Sequence, residues 1–118
     1  MIITRNKCST NKQVNIYLNN KTLAQDDKLK YLGITIDNTF KFNKHIENVS
    51  DKCLKLIHAL AKSAKLNWGL KQEVLHIIYK GAILPVLSYG APIWIEAIKV
   101  NSNAVKLRRI QRDRKSVV

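Results

Sequence analysis

Lys44, Lys52, Lys55, Lys62 and Lys65 are the residues whose type and spacing point most directly to a chemistry. On a helical wheel Lys44, Lys55 and Lys62 fall within about 20° of one another, with Lys52 about 60° away and Lys65 flanking on the other side. From Lys44 to Lys55 is about 16 Å of helix axis, at about 1.5 Å per residue, and Lys62 adds about 10 Å. Ammonium groups aligned at such intervals can follow the phosphates of a nucleic-acid backbone, a contact that carries no base information. Arg108, Arg109 and Arg112 form a second cationic group near the C-terminus. The plain alternative for the lysine row is a solvated helix face, and Glu47 and Asp51 would neutralise part of it.

Other chemistries find little support. Asp26 and Asp27 are the only adjacent acids, set in a polar stretch with lysines around it, so a solvated turn is favoured over a metal site. His45, His58 and His76 show no ligand spacing, and His45-Ile46-Glu47 lacks the cysteine half of a zinc deaminase signature. The four glycines (33, 69, 81 and 90) are isolated, so there is no phosphate-cradling loop. No catalytic constellation and no metal site are expected within this chain.

The balance of charge agrees with a polyanionic partner. Among 118 residues, 21 Lys and Arg stand against 8 Asp and Glu, a formal charge of +13. Residues 101–118 hold six basic residues and one acid, whereas residues 67–100 hold three and two and form the apolar heart. Cys8 and Cys53 lie too far apart for a CxxC pair, which suits a reducing, intracellular setting in nucleus or cytoplasm. The longest uncharged run, Gly81 to Ile95, is shorter than the roughly 20 residues a span requires and contains Pro85 and Pro92, so no membrane partner is expected.

The pattern around these residues predicts an α+β fold. Ile2-Ile3-Thr4, Val14 to Leu18 and Lys30 to Asp37 read as about three strands of a small antiparallel sheet, with polar Asn6 to Lys12 as a loop and Asn19-Asn20-Lys21 as a turn. In the third strand, Leu32, Ile34 and Ile36 would face one way and Tyr31, Gly33 and Thr35 the other. Gly33 in mid-strand would mark a bulge or a close backbone approach. From Asn43, a plausible N-cap, the period becomes helical: Ile46, Val49, Cys53, Leu56, Ile57, Leu60 and Ala64 share one face, and Asn67-Trp68-Gly69 ends the helix. Lys71 to Leu84 is apolar nearly all round, which predicts a central buried helix with a kink at Pro85. Asn103 to Arg114 completes a bundle of three to four helices. Trp68, Tyr79, Tyr89 and Trp94 are expected to pack in the core rather than stack on bases.

Five segments, taken in order, resemble the reverse transcriptases of non-LTR retrotransposons of the LINE and Jockey type. They are Tyr31-Leu32-Gly33-Ile34-Thr35-Ile36-Asp37; Phe40-Lys41-Phe42-Asn43-Lys44-His45-Ile46; Trp68-Gly69-Leu70 through Ile78-Tyr79-Lys80; Leu84-Pro85 through Tyr89-Gly90 to Trp94; and Leu107-Arg108-Arg109-Ile110-Gln111-Arg112. The resemblance implies that residues 1–42 are the end of a polymerase palm, with Tyr31, Leu32 and Gly33 as a primer grip. Residues 43–112 would be a helical thumb holding an RNA template–DNA primer duplex by its backbone. Residues 113–118 leave the family's pattern and are expected to be an unstructured tail.

The resemblance also implies that the family's catalytic aspartates and their Mg²⁺ belong to an N-terminal polymerase portion preceding Met1. The chain is then expected to be a fragment that binds template–primer, needs no cofactor of its own and is inactive as a polymerase alone. Two other readings remain open on charge alone: a free-standing basic nucleic-acid-binding module, and a non-functional remnant that acts at most as an interaction scaffold.

Overall fold

A computed structural model describes residues 14–66 and 71–117. The expected Ile2-Ile3-Thr4 strand, the Asn6–Lys12 loop, Cys8 and the Trp68-Gly69 helix end lie outside the described residues. The fold class is α+β as expected: two antiparallel hairpins precede a set of helices. The hairpins are β1 (Tyr17–Leu18) with β2 (Lys21–Thr22), and β3 (Lys28–Tyr31) with β4 (Ile34–Asp37). Both turn on two residues with positive φ, Asn19 (48°) and Asn20 (59°) in the first, Leu32 (48°) and Gly33 (81°) in the second. Such paired left-handed residues match the natural twist of a hairpin.

The second turn corrects the reading of Lys30 to Asp37 as one strand. Gly33 is the second residue of a reversal, so of the two expectations for it the bulge gives way and the close backbone approach holds, and Tyr31 pairs directly with Ile34 across the hairpin. Tyr31 therefore shares a face with Ile34 and Ile36, because directly paired residues point the same way. Leu32 leaves the sheet altogether, 72% exposed at the tip.

After the hairpins, α1 (Asn43–Leu66) runs for 24 residues. Its first helical bond runs from the Ile46 amide to the Phe42 carbonyl, so Phe42 stands in the capping position expected for Asn43. Asp37 prepares this entry by accepting the Lys41 amide on its carboxylate at 2.9 Å. The apolar face lies as its period predicts, with Ile46, Cys53 and Ile57 buried, although Leu56 falls on the edge and is exposed.

The next stretch is α2 (Gln72–Ile78), a π-helical turn (Tyr79–Ile83) and α3 (Leu84–Ser88). The π turn is the form the kink takes. Pro85 has no N–H and its ring crowds the carbonyl one turn earlier, and the wider turn lets the Leu84 amide reach the Tyr79 carbonyl. The expectation of an all-round buried helix is overturned. Only the Leu75, Tyr79 and Ile83 stripe is buried, while Ile77 is 68% exposed, because this run packs on one side only.

Chain reversal at Gly90 (φ 65°) leads to α4 (Ala91–Trp94), a 3₁₀ segment (Ile95–Lys99) and α5 (Asn101–Val117). Helix α5 lies parallel to α1: Asn103 meets Asn43, and Asp113 approaches His58 further along. Residues 113–117 continue α5, contrary to the expected disordered tail. Arg114 lies over the Tyr79 ring at 5.2 Å, which ties this last stretch to the body by a cation–π contact. Two clusters make the core, one of Ile34, Phe42, Ile46, Trp94 and Ala97, the other of Cys53, Ile57, Tyr79, Ile83 and Ile110, with Leu107 packed against both. Among the described residues no single helix is long and apolar enough to cross a membrane.

Candidate nucleic-acid interface

The β3–β4 turn is fastened to the helices by the Tyr89-Gly90 corner. The Tyr89 hydroxyl donates to the Leu32 carbonyl at 2.6 Å, and the Trp94 indole N–H donates to the Tyr89 carbonyl at 3.0 Å. A Cβ on Gly33 would stand 3.3 Å from the Tyr89 ring, and one on Gly90 would stand 2.5 Å from Ile34 Cδ1. Glycine is needed at both places for close approach as well as for positive φ. Trp94 and Tyr79 are buried as expected, whereas Tyr89 is exposed and serves as a surface clasp.

His45 completes the junction. It is 3% exposed, accepts the Thr35 amide on Nδ1 at 3.3 Å and lies 5.9 Å from the Trp94 ring. Accepting at Nδ1 places its proton on Nε2, and burial pushes its pKa below the usual histidine value. Because the unfolded chain takes up a proton near pH 6.5 and the folded chain resists it, the stability His45 contributes is present above that pH and lost as pH falls. The thermal midpoint is therefore expected to fall from pH 7.5 to 5.5, with a visibly weaker dependence in His45→Gln. Identical pH profiles for parent and variant would refute this.

Between the clasp and α1 lies a cleft of about 480 Å³, with Lys30 from β3 and Lys52 from α1 among its lining residues. This placement separates Lys52 from the rest of the predicted row. Lys44, Lys55 and Lys62 are exposed on α1, with Lys44 held by Glu47 at 2.9 Å. That hydrogen bond, helped by the charges of Lys44, Lys106 and Lys28, holds the Glu47 carboxyl below its usual range. Lys65 lies on α1, but its side chain is outside those described.

Arg108, Arg109 and Arg112 surround Val105 in a shallow hollow on the α5 side turned away from buried Asn103 and Ile110. They form a separate patch, in which Arg112 also approaches Asp113 at 3.8 Å. Lys30 was missed in the sequence reading because strand alternation alone cannot show that it meets an α1 lysine across a cleft.

Tyr31, Leu32 and Gly33 sit at the hairpin tip beside this cleft, with Tyr31 and Leu32 exposed. Leucine in a left-handed conformation costs about 1 kcal/mol and gains no burial here. Leu32→Asn, which suits this turn better, is expected to stabilise the chain by about 0.5–1 kcal/mol. Denaturant midpoints check this; a lower midpoint would show that the Leu32 side chain carries packing.

Asp26 and Asp27 are exposed in the loop before β3, and Asp27 uses its carbonyl to accept the Asn38 amide. Among the described residues no three His, Cys, Asp or Glu side chains gather to hold a metal.

The chain is 29% identical over 111 residues to the Retrovirus-related Pol polyprotein from type-1 retrotransposable element R1 of Bradysia coprophila, covering 94% of this chain. It is 30% identical over 96 residues, 78% of the chain, to the RNA-directed DNA polymerase from mobile element jockey of Drosophila melanogaster. This chain is a homologue of non-LTR retrotransposon polymerase proteins. A third such relative, the probable RNA-directed DNA polymerase from transposon BS of Drosophila melanogaster, is 28% identical over 88% of the chain.

The chain spans 11%, 10% and 12% of the lengths of these three polymerase proteins. No family model matches it, and no solved structure does. The structure gives a physical reason for the retrotransposon-like motifs to occur together: the Tyr-Leu-Gly turn, the His-Ile entry to α1 and the Tyr-Gly corner with its Trp form one interlocked junction.

Proposed function

We propose that this chain supplies part of the template–primer binding surface of an RNA-directed DNA polymerase. The hairpin tip Tyr31–Gly33 meets the primer strand, and the α1 lysines bind the duplex backbone. The observation that carries this reading is the meeting of the exposed, strained hairpin tip with a lysine-bearing helix across one cleft. Catalytic carboxylates and Mg²⁺ belong to the remainder of the polymerase, which would be the partner of this segment, and the chain alone extends no primer. Phosphate contacts position the duplex and leave sequence to base pairing. An RNA–DNA hybrid is bound through shape and backbone in the same manner.

Salt titration of duplex binding tests the role of α1. Each phosphate contact steepens the fall of log K with log salt by about 0.9 on B-form DNA. Lys55→Ala with Lys62→Ala, both exposed and without an ion pair among the described residues, is expected to make the slope shallower by about 1–2. An unchanged slope would make this face a solvated one.

A further inference from the structure

We infer that the cleft between the β3–β4 turn and α1 is a mononucleotide site, which seats one nucleotide unit with its phosphate at Lys30 and Lys52 and its base against Tyr89. This rests on the proposed nucleic-acid role and adds to it a binding pocket distinct from the α1 lysine row.

Three observations carry it. The lining residues include two lysines and no carboxylate, so the cleft concentrates positive charge without an internal counterion. Neither lysine has an ion pair among the described residues. An external dianion such as a phosphate monoester supplies what the cleft lacks. Pro85, Val86 and the exposed Tyr89 ring give an apolar wall with an aromatic face, the kind of surface on which any base stacks. Asn48 adds an amide that can donate and accept at a base or sugar edge. The cleft volume of about 480 Å³ lies within the range of small-molecule sites.

The clasp makes the site a built one. Tyr89 is held through its hydroxyl to Leu32 and through its carbonyl to Trp94, so the wall is in place before a ligand arrives. A strand bound along α1 could turn one nucleotide into this cleft while neighbouring phosphates stay on the helix.

The test uses the full chain, ¹⁵N-labelled, titrated at constant ionic strength with deoxyadenosine 5′-monophosphate, inorganic phosphate and deoxyadenosine. The monophosphate is expected to give saturable amide shifts at Gly33, Thr35, Asn48 and Lys52, with Kd near 1 mM. Phosphate alone is expected to bind at least fivefold more weakly, and deoxyadenosine to give no saturable shifts. Lys30→Gln with Lys52→Gln should weaken the monophosphate at least tenfold. So should Asn48→Asp, which places a carboxylate in the cleft.

All three positions are exposed, and unchanged amide spectra elsewhere confirm folding. Equal affinity for phosphate and monophosphate would overturn the nucleotide site, as would shifts confined to Lys44, Lys55 and Lys62 or affinity unaffected by the lysine pair. The duplex salt slope is read separately with Lys55 and Lys62. Failure there with an intact monophosphate response removes the α1 reading and leaves the cleft, and the converse removes only the cleft.

Discussion

Replacing Trp94 by alanine is expected to cost about 3–5 kcal/mol, the range found when a large aromatic is removed from a packed core. Trp94 is 4% exposed and stands among Ile34, Phe42, Ile46 and Ala97, where it joins the hairpin, the start of α1 and the 3₁₀ segment. The substitution removes this packing together with the indole bond to the Tyr89 carbonyl. Since domain stabilities are typically about 5–15 kcal/mol, the loss takes a large share of the total. The β3–β4 hairpin should be released first, because its buried Ile34 rests on this cluster.

Trp94→Phe retains most of the packing and loses the hydrogen bond, so about 1 kcal/mol is expected. Ile93→Ala, at an exposed neighbouring position, should stay within about 0.5 kcal/mol of the parent. Urea unfolding followed by circular dichroism ranks the three. A Trp94→Ala value no larger than that of Ile93→Ala would mean that this cluster does not hold the hairpin.

Asn103→Asp is the second large effect, about 3 kcal/mol at neutral pH. Asn103 is 0% exposed, and its Nδ2 donates to Asn43 Oδ1 at 2.8 Å and to the Ala97 carbonyl at 3.0 Å. These two bonds join α5 to the first turn of α1 and to the 3₁₀ segment. An aspartate would set carboxylate oxygens against two acceptors and bury a charge where the side chain has no exposure to water.

The charged form is disfavoured in the fold, so the aspartate pKa would rise above its unfolded value of about 3.9. The penalty is then small near pH 4, where the carboxylic acid can donate one bond, and grows as pH rises through the raised pKa. Asn103→Ala should cost about 1–3 kcal/mol with no such trend. Measuring each variant against the parent at pH 4.5 and 7.5 separates this from the opposite trend of His45. A pH-independent Asn103→Asp difference would show that the side chain reaches water.

What the sequence determined by itself is whatever depends on residues within a few turns of one another. The α1 period placed Ile46, Cys53 and Ile57 inside and Lys44, Lys55 and Lys62 outside, because a helix repeats every 3.6 residues whatever surrounds it. The order of five short motifs was also enough to point to the non-LTR retrotransposon polymerase proteins of which the chain is a homologue.

Tertiary structure decided the rest. Whether Gly33 makes a bulge or a reversal depends on the pairing of Tyr31 with Ile34 and on the Tyr89 hydroxyl 57 residues away, neither of which a local pattern contains. Composition made residues 71–84 a buried helix, yet burial requires partners on every side, and this chain supplies them on one. The α5 end expected to be loose is helical, with Arg114 seated over Tyr79. Lys52 left its row for the cleft, and Lys30 joined it there, because which cations share one field is set by the approach of a hairpin to a helix.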